Sequence, residues 1–322
     1  MSFILAGDVG ATKVLLQAFD PSENRILAEK RYLSADFFSL TLLVQHFQAE
    51  FDLPFFETAC FGVPGPVIGR QVQLTNLPWL IQADELEHAC HIKCVEIIND
   101  FFAAALGVDE LTDSDVICLQ AGEYECSGNR LVIGAGSGLG VAPVSYCQGD
   151  FVPQPSEGGH IDFAPLNQHQ IKLLEWLHQK WSHVSYERLL SGEGLETLYF
   201  FYNIQSHGHG KKSITAAEIY QAATDGEKIA CQTLDTFVQV YGAFIGNVAL
   251  IWESKAGIFI AGGIAPKIKD WMLKPLFMDA FLSKGRMRKV VEKFPIYLVI
   301  NERVGLLGAM RHVQLSNVDQ EP

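Results

Sequence analysis

Apolar positions in this chain gather in short runs punctuated by glycine, more often than in long one-sided stripes. Phe3 to Ala6 is such a run; it enters Gly7-Asp8-Val9-Gly10-Ala11-Thr12-Lys13 and resumes as Val14 to Phe19. Two short runs joined by a glycine-bearing turn predict a β-hairpin. Lys30 to Tyr32 adds a third strand, and Leu40 to Phe51 predicts a helix with Leu40, Leu43, Val44 and Phe47 on one face. Thr58 to Val63 reads as a strand closed by Pro64-Gly65-Pro66, with Gln71 to Leu74 answering it across that turn. Residues 83–94 read as helix, and Cys94 to Ile98 as a β-branched strand ending at Asn99-Asp100. Hairpins followed by helix and strand predict a mixed α/β sheet.

Beyond Phe101 the pattern is helical to Val108, then strand-like over Val116 to Leu119 and Arg130 to Ile133. Gly134-Ala135-Gly136-Ser137-Gly138-Leu139-Gly140 follows, and Val141 to Tyr146 repeats the strand, turn, strand order of residues 3–19. The repetition predicts two related halves, each with a hairpin whose turn approaches a ligand. The remainder is mainly helical up to a strand over Gly257 to Ala261, which ends in Gly262-Gly263; a strand over Ile296 to Ile300 and a closing helix over Gly305 to Val313 come last. Ser316 to Pro322 reads as a frayed polar tail. Phe237 to Trp252 is the most apolar stretch, but Gln239 and Asn247 interrupt it, so it reads as a buried helix and not a membrane span. Gly242 and Gly246 share one face of it, which permits close packing of a neighbour.

Composition narrows the picture. At about 150 residues per domain, 322 residues predict two domains. Hydrophobic residues make up 48% of the chain and charged residues 19%, a globular composition. Lys plus Arg number 24 against 37 Asp plus Glu, a net charge of −13, which argues against nucleic acid and anionic membrane surfaces as partners. Seven scattered cysteines read as thiols in a reducing cytoplasm. No basic segment precedes the first strand, so the start does not read as a signal peptide and the chain reads as mature from Met1.

Familiar phosphate motifs fail. From Gly134 the sixth position of a dinucleotide fingerprint is Leu139, and the glycine that a Walker A loop needs before Gly210-Lys211 is Gln205. Ser206 to Lys212, with His207 and His209, therefore reads as a solvated surface loop. The two strand-turn-strand loops remain: their N–H groups cradle an anion, or they are simply tight hairpins. Asp8 and Asp100 each follow an apolar strand, and Asp100 either carries chemistry or caps the next helix. In Ser156-Glu157-Gly158-Gly159-His160 a carboxylate and an imidazole flank two glycines, which suits a polyhydroxylated ligand or an ordinary polar turn. His88, Cys90, His91 and Cys94 would spread over a broad arc of a helix, with no second cluster at zinc spacing, which argues against a metal site.

Taken in order, nine segments resemble the bacterial glucokinases of the hexokinase/actin-like (ribonuclease H-like) ATPase fold. They are Gly7-Asp8-Val9-Gly10 with Thr12, Gly62 to Pro66, Leu74-Thr75-Asn76, Glu96 to Phe101, Gly134 to Val141, Gly158 to Pro165, Glu187-Arg188 with Leu190-Ser191-Gly192, Ile260 to Ile264, and Gly305 to Gly308. The resemblance covers nearly the whole chain. It implies a two-domain α/β fold with mixed sheets and an interdomain cleft, with residues 1–101 plus about 302–322 as a small domain and 102–301 as a large one. It implies ATP-dependent phosphorylation of glucose at the 6-hydroxyl, in a cytoplasmic homodimer. Residue by residue, Asp100 becomes the general base, and Asn99, Asp100, Glu157, His160 and Glu187 hold the sugar. Gly7, Asp8, Gly10 and Thr12 with Gly136, Ser137 and Gly138 face the phosphates and their Mg²⁺, which takes Asp8 as its carboxylate. Gly262 and Gly263 lie against the adenosine.

Two positions depart from the family pattern: Ala11 and Lys13 stand where Gly and Asn are usual. If position 11 needs a positive φ, Ala11 is strained; if it only packs near a phosphate, its methyl is tolerable. Lys13 also occurs in the related repressor and kinase (ROK) group, but that group's zinc-binding cysteine cluster is absent and no helix-turn-helix precedes Phe3. Rival readings are a sugar-binding regulator that has lost transfer, a kinase for another hexose such as mannose or N-acetylglucosamine, and polyphosphate or ADP as donor. In so acidic a chain the phosphates must be met locally, by backbone N–H groups, Mg²⁺ and Lys13.

Overall fold

The computed structural model describes residues 3–74, 77–208 and 214–318. The chain divides into two units, Met1–Thr112 with Asn301–Pro322, and Asp113–Ile300. Thr75 and Asn76, residues 209–213 with the Gly210-Lys211 pair, and residues 319–322 of the expected tail lie outside the described residues.

In the first unit, β1 (Phe3–Val9), β2 (Lys13–Asp20) and β3 (Arg25–Leu33) form an antiparallel meander. After α1 (Leu40–Glu50), β4 (Phe56–Val63) joins β1 in parallel. The strand β5 (Gln71–Gln73) pairs with β6 (Leu80–Gln82) in a separate two-stranded sheet, and not with β4 across Pro64-Gly65-Pro66 as the sequence predicts. The reason is topological. β1 takes one edge of β4, and β7 (Ile92–Asn99), which follows α2 (Ala83–Cys90), takes the other, so β4 has no edge left to offer. α2 stops at Cys90 because His91 turns left-handed at φ 53°, which hands residues 92–94 to the strand. The sheet order is β3-β2-β1-β4-β7. Alternation along β1 sends Leu5 and Val9 into a core with α1 and α2, and Ile4 and Ala6 to the opposite face. The helix α3 (Asp100–Gly107) leaves the end of β7 directly.

The second unit repeats this plan. After β8 (Val116–Gln120), the strands β9 (Arg130–Ala135), β10 (Leu139–Cys147) and β11 (Asp150–Pro153) form a meander. β11 interrupts a region that the sequence predicts as helical. Its hairpin turn is Gln148-Gly149, both at positive φ, a two-residue primed turn in which Gln replaces the usual Asn. Next come α4 (Gln168–Leu177), α5 (Gly192–His207), α6 (Ala216–Thr224) and the long α7 (Lys228–Ile251). α5 reaches His207 and ends at a left-handed Gly208, so Ser206 and His207 are helical and not loop. β12 (Ile258–Ala261) follows, then α8 (Lys269–Met272), α9 (Pro275–Leu282) and α10 (Arg288–Val291), then β13 (Ile296–Val299). β12 is parallel to β9 and to β13, giving the order β11-β10-β9-β12-β13-β8. α7 is the one helix among the described residues long and apolar enough to cross a membrane, yet 72% of that stretch is buried in its unit. Its Gly242 and Gly246 receive the backbone of α9: a Cβ on Gly242 would overlap the Phe277 carbonyl oxygen, and one on Gly246 would stand 2.6 Å from that of Phe281.

The chain returns to the first unit with α11 (Val304–Val318), whose Leu306, Ala309, Met310 and Val313 cover Ile4, Ala6 and Cys60 on the sheet face opposite α1. It runs through Ser316 to Val318, where the sequence predicts a frayed tail. α3 packs on α11 through paired glycines: Gly107 lies against the Val304 carbonyl and Gly308 against that of Ala103. This contact places α3 in the first unit and moves the boundary to Thr112/Asp113, away from the expected 101/102.

Candidate active site

In the first unit, β1 and the turn after it carry four of the expected residues, Gly7 and Asp8 in the strand and Gly10 and Thr12 in the turn. Gly7 is buried within β1, where a Cβ would stand 2.5 Å from the Phe61 ring, so its part is strand packing. At the turn, the Gly10 N–H donates to the Lys13 carbonyl at 2.8 Å, the Ser34 hydroxyl donates to the Gly10 carbonyl at 2.9 Å, and the Ser34 N–H donates to the Thr12 carbonyl at 3.0 Å. Thr12 and Lys13 are exposed. Ala11 is not among the positive-φ residues, so its methyl is accommodated without backbone strain.

Asp8 is half-buried at the end of β1, between Leu15 and Gly62 of the neighbouring strands. Burial pushes its carboxyl up to about 6, against a smaller opposing pull from Arg31. Gly305, in the first turn of α11, leaves room for it: a Cβ there would stand 3.0 Å from the Asp8 carboxyl carbon. No group of three or more His, Cys, Asp or Glu among the described residues is placed to hold a metal ion. Mg²⁺ needs no such cage. It binds through one or two carboxylates and completes its shell with phosphate oxygens and water, so a lone hard carboxylate beside an exposed turn suits it.

At the end of β7 the helix cap is Asn99. Its Oδ1 accepts from the N–H groups of Phe101 and Phe102 at 2.9 and 3.2 Å, and its Nδ2 donates to the Gly65 carbonyl at 3.3 Å. Gly65 stands at φ 105°, a conformation L-residues avoid, and this turns its carbonyl toward β7. Asp100 is the first residue of α3, not its cap, and its Oδ1 accepts from the Phe101 N–H at 2.9 Å. Gly62 lets the helix approach β4, since a Cβ there would lie 3.0 Å from that of Ala103. Asp100 is thus held half-buried at the start of a helix whose positive end favours a negative charge.

In the second unit, three predicted residues meet. The segment 161–163 runs antiparallel to 184–186: the Tyr186 N–H donates to the Ile161 carbonyl at 3.0 Å and the Phe163 N–H to that of Val184 at 2.9 Å. This brings His160 Nδ1 to 3.8 Å from Glu187 Oε1, with His160 Nε2 3.9 Å from Glu157 Oε2. The Leu139 N–H donates to Glu187 Oε2 at 2.9 Å, and a Cβ on Gly138 would stand 2.7 Å from that oxygen. A Cβ on Gly159 would overlap the Leu139 carbonyl oxygen, so the His160 turn is pressed onto β10. Glu157 and His160 remain exposed and Glu187 is half-buried. The imidazole and two carboxylates therefore offer donors and acceptors to one ligand.

The glycine turn between β9 and β10 holds Gly136, Ser137 and Gly138. The Gly136 carbonyl accepts from the Gly192 N–H at the start of α5 at 2.9 Å, and the Gly136 N–H donates to the Gly138 carbonyl at 2.8 Å. Gly262, at φ 85°, lies against the Ala135 carbonyl, and Gly263 faces open space next to Gly136. The two glycine loops are therefore neighbours.

The sequence reading misses Ser34 and the segment Trp181 to Ser185, and gives no role to Ser191, which it names only within a matched segment. Ser191 caps α5 and donates to the Glu187 carbonyl at 2.9 Å, and Ser-x-x at a predicted helix start was a usable signal. Trp181, Ser182, His183, Ser185 and Arg188 join His160 and Glu187 around a pocket of about 210 Å³. No one-dimensional pattern marks it, because its walls form only when residues 161–163 pair with 184–186.

The sequence profile of the family described as Glucokinase matches residues 5–316. The chain is 36% identical, over 335 aligned positions covering 96% of it and 98% of the relative, to a glucokinase of Trichormus variabilis. Among solved structures it is similar to a glucokinase from an Antarctic psychrotroph, at 31% identity and a TM-score of 0.81, over 98% of this chain and 99% of that one. It shares its fold with a ROK family glucokinase of Streptomyces griseus in complex with glucose and AMPPNP, at 20% identity and a TM-score of 0.62, over 96% and 98% of the chains.

Proposed function

The chain belongs to the glucokinase family, and from that premise we propose that Asp100 is the general base of its reaction, the ATP-dependent phosphorylation of glucose to glucose 6-phosphate. As the 6-hydroxyl oxygen bonds to the γ-phosphorus, the bond from that phosphorus to the ADP oxygen breaks and the hydroxyl proton passes to the Asp100 carboxylate. Phosphoryl transfer asks the protein chiefly for positioning. The observation that carries this reading is the placement at the end of β7: Asn99 caps α3 and Asp100 is its first residue, its Oδ1 accepting from the Phe101 N–H, so a rigid strand and helix fix the direction of the carboxylate.

Asn99, Glu157, His160 and Glu187 hold the sugar's other hydroxyls, the contact of His160 with both carboxylates supporting a shared ligand. Thr12 in one turn, and Ser137 and Gly138 in the other, offer N–H and hydroxyl donors to the nucleotide phosphates, while Gly10 and Gly136 shape those turns by closing them with their own N–H groups. Gly262 and Gly263 supply an open backbone surface for the adenosine. Gly7 acts only as the tight strand that carries Asp8. Asp8 holds Mg²⁺, which when bound neutralises charge on the β- and γ-phosphates. A reducing cytoplasm, supported by seven free thiols, and a homodimer complete the proposal; sedimentation of the purified protein tests the dimer.

Asp100→Asn tests the mechanism. Turnover measured by ADP release falls by about 10² to 10⁴, while calorimetry still detects glucose binding. A variant that keeps more than about a tenth of wild-type turnover would show the base to lie elsewhere.

A further inference from the structure

We infer that the pocket beside His160 and Glu187 is a subsite for an acylamino group on carbon 2 of the hexose, so that the sugar site accepts 2-acylamino-2-deoxyhexoses as well as glucose. The inference rests on the proposed role of His160 and Glu187 in holding hydroxyls other than the 6-hydroxyl. In a pyranose ring, carbon 2 stands directly across from carbon 5, which carries the 6-hydroxymethyl group. Residues that grip the far side of the ring are therefore the ones a carbon 2 substituent would pass.

The walls match an amide. Arg188, Ser182 and Ser185 present donors for an acyl oxygen, and the Trp181 indole offers apolar surface to the acyl methyl. Glu187 Oε2 is taken by the Leu139 N–H, which leaves Oε1 as an acceptor for the amide N–H. The Arg188 guanidinium lies 5.0 Å from the centre of the Trp181 ring, and among the described residues no carboxylate pairs with it. Lys180 packs on the same ring at 4.2 Å. At about 30 Å³ per water, 210 Å³ holds about seven waters, enough for an acetamido group of about four non-hydrogen atoms but below the roughly 300 Å³ at which drug-sized sites begin.

Charge favours a neutral substituent over a phosphate. Glu187 is in the wall, Glu157 lies 3.9 Å from His160, and Asp162 lies 3.2 Å from His183, so three carboxylates lie in or next to the pocket wall. An anionic group would meet repulsion that an amide does not.

Calorimetry and coupled ADP-release assays with glucose and with 2-acetamido-2-deoxyglucose test this, on the wild type, Arg188→Ala and, as a milder change, Trp181→Phe. The wild type should bind and phosphorylate both sugars. Arg188→Ala should raise KM for the acetamido sugar about tenfold or more, the loss of one charged hydrogen bond, and leave KM for glucose within about twofold. Glucose turnover without binding of the acetamido sugar overturns the subsite alone. Equal changes for both sugars in both variants also overturn it, by making these residues structural. Absence of glucose turnover overturns the reading beneath it.

Discussion

Asp8 couples the proton balance of folding to the residue proposed to hold the metal. Its carboxyl is raised from 3.8 to about 6, so the folded chain binds the proton more tightly than the unfolded one. The stability from this group is fully present below about pH 4 and is lost as the pH rises through about 6. Asp8→Asn should therefore be more stable than the wild type at pH 7, by about 1–3 kcal/mol, with the gap closing toward pH 4 in paired urea titrations. Its turnover should collapse at the same time, because the carboxylate proposed to hold Mg²⁺ is gone. Ala11 allows a second check. Because its φ is ordinary, Ala11→Gly relieves no strain and should lower stability by about 0.4–1 kcal/mol, with KM for ATP within about twofold. From the sequence both aspartates were visible as strand-end carboxylates, but not which residue caps α3. Asn and Asp are near-equal caps, but the cap position also faces the carbonyl of Gly65, brought close by a positive φ, to which the Asn99 amide donates and a carboxylate could not.

Elements were legible where local pattern decided them and illegible where partners did. The meander over β1 to β3 and the helical face of Leu40, Leu43, Val44 and Phe47 follow from spacing alone. The pairing of β5 does not: Val72 alternates as an inner position whichever strand lies beside it, and the occupancy of both β4 edges settles the matter. β11 was hidden because Gln148-Gly149 lacks the side chain that usually announces a primed turn. Helix contacts through glycine are sensitive in a way the sequence hints at but cannot pair. A Cβ on Gly308 would overlap the Ala103 carbonyl, so Gly308→Ala should destabilise the first unit by about 1–3 kcal/mol or more, read as a lower melting temperature. Full stability in that variant would mean that α3 and α11 are not in such close contact.

At the scale of the molecule, the repeat seen between residues 3–19 and 130–146 extends further than the motifs. Each unit has a meander whose first strand also begins a parallel run, β1-β4-β7 in one and β9-β12-β13 in the other. What the motifs could not reveal is that the 101/102 division cuts through a packed helix pair. Ending the chain before Val304 should expose Ile4, Ala6 and Cys60, unfold the first unit and abolish transfer, measurable as accelerated proteolysis within residues 3–112. The second unit is uninterrupted in sequence, and the first is not. During synthesis, residues 113–300 can close their core as soon as they emerge, while the strand made first waits for a partner made almost last. The β1 face that receives Leu306 and Val313 therefore stays uncovered until α11 has been made, an apolar surface exposed for most of translation.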